Sequence, residues 1–145
     1  KLVLGLFRGT WPVCDRLDSE EMAMPMEETA NVILMTAAVV QRINSTSFLQ
    51  PYWNLLENWA QYLNSTLPDP GNQINSDCFV RNTIDHKRKT IYNYVCLLQE
   101  GPSPHNCNLA LKGILGLGAY AILLNAAGHA DRGTVYMNQA QNHGK

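Results

Sequence analysis

The chain has almost no net charge. Its 11 Lys and Arg against 12 Asp and Glu leave −1 at pH 7, which removes any electrostatic case for a nucleic acid or an anionic membrane surface as partner. Its four cysteines, Cys14, Cys78, Cys96 and Cys107, contain no C-x-x-C pair, a poor basis for a zinc or thioredoxin-type site. Neither a metal nor a cofactor is expected. The only long apolar run, residues 113–127, is short for a bilayer, is broken by Gly and Asn, and follows Lys112. It is expected to be a core helix, with no membrane as partner. No signal-peptide pattern opens the sequence, and the start at Lys1 reads as the middle of something, so a fragment of a longer parent chain is expected. There is no internal repeat. The one strand-like alternation, over residues 90–97, is weak. Gly113, Gly116 and Gly118 follow no strand and have the wrong spacing for a phosphate loop. No Ser-His-Asp arrangement or activated cysteine is readable.

What is present is helical. Apolar residues make up 46% of 145, enough for one globular domain with a moderate core and too many for a disordered chain. The organising stretch is MPMEET at 24–29, followed by the apolar run 32–40. Pro25 suits a first helical turn because its missing N–H would go unpaired there. Glu27 and Glu28 then fall where the helix dipole favours negative charge. The run behind them is apolar on nearly every face, so this helix, about 25–42, is expected to be buried all round, inside a larger assembly of helices. A second helix begins near Pro51, with Tyr52, Leu55, Leu56, Trp59, Tyr62 and Leu63 facing inward and Asn54, Glu57, Asn58 and Gln61 on the wet side. LPDPG at 67–71 stops it. A third helix, capped by Asn106 or Asn108, runs to about 127 and stops at Gly128. Its three glycines are expected to admit a neighbouring helix. Asp131 caps a short fourth helix.

Two carboxylates at the mouth of an inner helix are a reasonable start for hydrolysis, which needs one group to activate water and another to protonate the leaving group. Adjacent helical residues diverge by about 100°, so Glu27 and Glu28 do not both face one substrate. Their plainer reading is dipole stabilisation. Asp77, in the loop after the second helix, is a candidate partner carboxylate, or simply a turn residue. Asn108 and Lys112 stand four apart on one helical face, where an amide and an ammonium can hold a substrate carboxylate; otherwise they are a cap and a solvated lysine. Asp15 and Trp11 are placed at the same mouth. Asn44 and Asn64 each open an Asn-Ser-Thr sequon, the acceptor pattern for N-glycosylation.

Five blocks in one order, WPVCD (11–15), MPMEETAN (24–31), LPDPGNQ (67–73), GPSPHN (101–106) and NLALKGI (108–114), resemble the fungal secreted glutaminase A family. The resemblance implies an all-α fold: helical hairpins forming part of an (α/α)6 toroid of the six-hairpin glycosidase type, within a much longer chain. It also implies extracellular hydrolysis of L-glutamine to L-glutamate and ammonia, although glycoside hydrolases share the fold. Catalysis is then expected from Asp77, Glu27 and Glu28, with substrate held by Asn108, Lys112, Asp15 and Trp11. The alternatives are a carbohydrate-active enzyme and an inactive helical remnant. Two departures from the family stand out. Cys78 replaces an aspartate next to Asp77, while Asn75 takes the place of a usual cysteine, which leaves Cys14 without its implied disulfide partner. Residues 80–99 interrupt a junction that family members make directly. Their ends, Val-Arg and Gln, are encodable by GTA-AGA and CAG, so the stretch reads as an insertion or a translated intron.

Overall fold

The computed structural model describes residues 25–71, 73 and 105–145. They form α1 (Pro25–Ile43), a 3-10 segment (Ser47–Tyr52), α2 (Trp53–Thr66), α3 (Cys107–Ala126) and α4 (Ala130–His143). The fold is all-α, as the sequence led one to expect. Pro25 opens α1, with Glu27 and Glu28 in its first turn. At the head of α3 the Asn106 side chain accepts from the N–H groups of Asn108 (2.9 Å) and Leu109 (3.0 Å), a cap that stabilises a helix by about 1 kcal/mol. Gly128 ends α3 at φ +85°. The Gly128 and His129 N–H groups return to the carbonyls of Asn125 and Leu124, the paired bonds of a Schellman stop. That stop is so tight that α4 begins at Ala130. Asp131 therefore lies inside the first turn, and His129, not Asp131, holds the cap position.

The side-chain contacts fix the directions of the helices. Lys112 near the head of α3 meets Glu27 at the head of α1, and the tails of both helices border one cleft, so α1 and α3 are parallel. Leu67, just past the end of α2, lies against Gly113, early in α3, and Asn125, late in α3, lies against Gly133, early in α4. Helices α2 and α4 therefore run the other way, as expected for two successive hairpins. A Cβ on Gly116 would stand 2.9 Å from the Ala30 Cα and 3.0 Å from a Leu63 methyl; one on Gly113 would stand 2.7 Å from the Met26 sulfur. These two glycines let α1 and α2 close on α3. Gly118 has nothing nearer than 4.0 Å, so the close approach expected of all three holds for two.

The described residues bury α1 on one side only, where the sequence reading has it buried all round inside a larger assembly of helices. Met26, Ala30, Ile33, Ala37 and Val40 enter the core, alternating steps of four and three that trace a single seam. Met35, Val39 and Ile43 remain 61%, 46% and 52% exposed. An unbroken apolar run does not reveal which of its faces packs, because every face carries the same chemistry. Helix α3 also leaves Leu111, Leu115 and Ile122 exposed. By length and composition α3 would suffice to cross a membrane; in this fold it is the central helix, packed against all three others.

Candidate functional site

Two chain segments far apart in sequence meet at the heads of α1 and α3. Lys112 Nζ donates to Glu27 Oε1 at 2.7 Å. The Glu27 side chain is 3% exposed and that of Lys112 is 22% exposed. A carboxylate this far from water requires a charge partner, and the parallel packing of α1 and α3 supplies one. Lys112 is thus a partner in a buried ion pair and not the solvated lysine of its plainer reading. Glu28, one residue on, is half-buried. Burial first, and then the neighbouring Glu27 charge, raise its pKa above the ordinary carboxylate value. The two adjacent glutamates are separated as helical geometry requires: one neutralised inside, one at the rim with its proton held more tightly. Asn108 lies one turn before Lys112 on α3, half-buried.

The loop after α2 closes the same end. The Met26 N–H, in the first turn of α1, donates to Gln73 Oε1 at 3.0 Å. Gln73 Nε2 in turn donates to the Tyr62 hydroxyl (3.2 Å) and the Pro70 carbonyl (2.8 Å), so one amide serves as a remote cap for α1. Asp69 binds His105 Nδ1 at 2.7 Å, tying this loop to the approach to α3. The Gly71 N–H, and then His105, hold the Asp69 carboxyl below the usual range. Neither Gln73 nor Asp69 was marked by the sequence as more than a loop residue, since their partners lie in other segments.

Of the expected site residues, then, the fold brings Glu27 and Lys112 into contact and places Glu28 and Asn108 near them at the heads of α1 and α3. Asp77, Asp15 and Trp11 lie outside the described residues, as do Cys78 and residues 80–99. Among the described residues no three His, Cys, Asp or Glu side chains could share a metal ion. Asn44 is exposed just beyond α1, at φ +51°. Asn64 sits within α2, where its Oδ1 lies 3.0 Å from His143 Nε2 on α4.

A second polar cluster was not foreseen. Periodicity puts Glu57 on the wet side of α2, yet it is the junction of three helices. Its Oε2 accepts from the Tyr120 hydroxyl of α3 and from the Arg132 guanidinium of α4. Its Oε1 accepts from the Tyr136 hydroxyl of α4 at 2.6 Å. The two tyrosine rings meet edge to face with centroids 4.9 Å apart. Partial burial pushes the Glu57 carboxyl up, but the hydrogen bonds from Tyr120 and Tyr136 and the charge of Arg132 outweigh it, so its pKa lies below the ordinary value. Burial and the bond to Glu57 push Tyr136 up to about 12 and Tyr120 higher still. The available signal was Tyr120 itself: a tyrosine inside an apolar helix must find a partner for its hydroxyl. With every carboxylate oxygen engaged, this cluster is a clamp between helices.

The family model described as the glutaminase A six helical-hairpin domain matches residues 8–89 and 96–145. A relative, glutaminase A from Aspergillus oryzae, is 30% identical over 112 residues. That alignment covers 77% of this chain and 13% of the relative, so the chain spans a small part of the protein it matches. No solved structure matches the chain.

Proposed function

Because the chain belongs to the glutaminase A family through its six helical-hairpin domain, we propose that it forms part of the active-site mouth of an extracellular amidohydrolase that converts L-glutamine to L-glutamate and ammonia. The observation that carries this reading is the gathering of Glu27, Glu28, Asn108 and Lys112 at the heads of two parallel helices. Glu27, already neutralised by Lys112, positions the pair. Glu28, at the rim and with its pKa raised by burial and the neighbouring Glu27 charge, is the better acid–base group of the two. A carboxylate, Asp77 or Glu28, takes a proton from water as its oxygen attacks the amide carbon. A protonated carboxyl then gives a proton to the departing nitrogen, which leaves as ammonia. Asn108 and the ammonium of Lys112 hold the α-carboxylate of glutamine, and Asp15 and Trp11 complete the mouth.

The test is a chimera in which the matched segment of the Aspergillus oryzae relative is replaced by the corresponding part of this chain, without residues 80–99. Release of ammonia from glutamine is the expected result. Hydrolysis of a glycoside without ammonia release would assign the mouth to carbohydrate chemistry instead.

The exposed apolar stripes of α1 and α3 favour a second statement about this chain on its own. Other hairpins of the parent domain cover those stripes, and the 145-residue chain alone is inactive. In isolation it is expected to self-associate and to bind an apolar dye, since patches of this kind seek cover. A monodisperse, dye-silent monomer by light scattering would contradict that.

Residues 80–99 we read as a translated intron or an insertion. The family match breaks over residues 90–95, inside this stretch. The genomic frame is expected to begin it with GT at the Val80 codon and end it with AG at the Gln99 codon; any other boundary bases eliminate the intron.

A further inference from the structure

The two sequons are alike as sequence and unlike in structure, and from this we infer that Asn44 is the N-glycosylation site of the folded chain and that Asn64 is not. Asn44 is exposed beyond the last turn of α1, with its backbone in the left-handed region at φ +51°. Its sequon, residues 44–46, therefore forms a turn and not a helix. Beside it lies an open cleft of about 450 Å³, bordered by residues 44–47, Gln50 and Ala126. Every residue at that border is uncharged, and most carry a hydroxyl or an amide, which suits a neutral sugar that needs many weak hydrogen bonds and no counter-ion.

Asn64 offers the opposite surroundings. It is half-buried within α2, its planar amide is held against α4 by His143 at 3.0 Å, and the hydroxyl of Thr66, the third residue of its sequon, donates back to the Tyr62 carbonyl at 2.8 Å. A glycan on that amide would crowd the last turn of α4, which packs beside it.

The modification is transfer from a lipid diphosphate-linked oligosaccharide. A bond forms between Asn44 Nδ2 and the anomeric carbon of the first sugar. The anomeric C–O bond to the diphosphate breaks, and the proton lost from the amide leaves with the lipid diphosphate. The inference shares only the extracellular destination with the proposed hydrolase, and its test supplies that destination artificially.

The full 145-residue chain, secreted from yeast behind a foreign leader, is digested with a peptide N-glycosidase in heavy-oxygen water, which marks each formerly glycosylated asparagine for peptide mass spectrometry. The label is expected on Asn44. Asn44→Gln is expected to abolish the glycan-dependent gel shift of the secreted protein, and Asn64→Gln to leave it unchanged. A label on Asn64 in secreted, protease-resistant chain, or a bare Asn44 beside any glycosylated site, overturns the assignment. A secreted chain with no glycan at all overturns it equally. Thr46→Ala provides a check that leaves Asn44 in place: the same loss of shift is expected, and retention of the glycan contradicts the sequon's role.

Discussion

Replacing Lys112 by methionine is expected to cost the fold about 3 kcal/mol, because removing one partner of a buried ion pair strands the other. Methionine keeps the apolar stem and the volume, so the loss reports the charge. Glu27 would then be a carboxylate with almost no access to water, and it must either take up a proton or pull the head of α1 open. The double variant Glu27→Gln with Lys112→Met is expected to recover much of the loss, since the amide needs no counter-charge. The non-additivity of the two changes measures their coupling. Urea unfolding followed by tryptophan fluorescence provides the measurement, with Trp53 and Trp59 both on α2 as reporters. A cost below about 0.5 kcal/mol, the scale of an exposed pair, would mean that α1 and α3 are not locked together here.

The second large effect is expected at Glu57. Alanine there removes the acceptor for Tyr120, Tyr136 and Arg132 together. Hydrogen bonds to a charged group contribute about 1.5–3 kcal/mol each, but part of this is returned as water reaches the freed hydroxyls, so a loss of about 2–4 kcal/mol is expected. Tyr136→Phe should cost about 1 kcal/mol. The pH dependence follows from the depressed Glu57 pKa. The unfolded carboxyl binds its proton near the ordinary value of 4.5, and the folded one only at lower pH. The clamp's contribution is therefore complete above that ordinary value and is lost as pH falls through the folded one. Unfolding of Glu57→Ala should accordingly fall less steeply with acid than that of the parent chain. Equal acid slopes would show that the clamp does not carry the charge.

The contrast between the two clusters explains what could be read in advance. Glu27, Glu28, Asn108 and Lys112 were visible because each sits at a helix head, and helix heads announce themselves locally through Pro25, Asn106 and the acidic first turn. The stop at Gly128 and the close approaches at Gly113 and Gly116 were legible for the same reason: a glycine in or just past an apolar helix has few explanations. That Glu27 meets Lys112 was not legible, because pairing across 85 positions depends on how α1 and α3 lie together. Glu57 failed more completely. Its neighbours Asn54, Asn58 and Gln61 are polar, so periodicity assigned it to solvent, and only the arrival of Tyr136 and Arg132 from α4 turned that edge inward. The stripe of Met35, Val39 and Ile43 is ambiguous in the opposite sense: uniform hydrophobicity does not show which face of α1 packs on the other described helices.

Both clusters rest on the same arrangement, two parallel helices with their heads together and two antiparallel ones behind. The clamp at Glu57 holds that arrangement, and the mouth at Glu27 and Lys112 uses it. The most direct measurement is ammonia release from glutamine by the chimera carrying Glu28→Gln, compared with the unsubstituted chimera at equal stability. Loss of a positioned acid–base group should lower kcat by about 100-fold or more with little change in KM, while Glu57→Gln, behind the mouth, should leave kcat near its starting value. Unaltered turnover with Glu28→Gln in a folded chimera would contradict the account, because the carboxylate proposed as the acid–base group would then take no part in the chemistry.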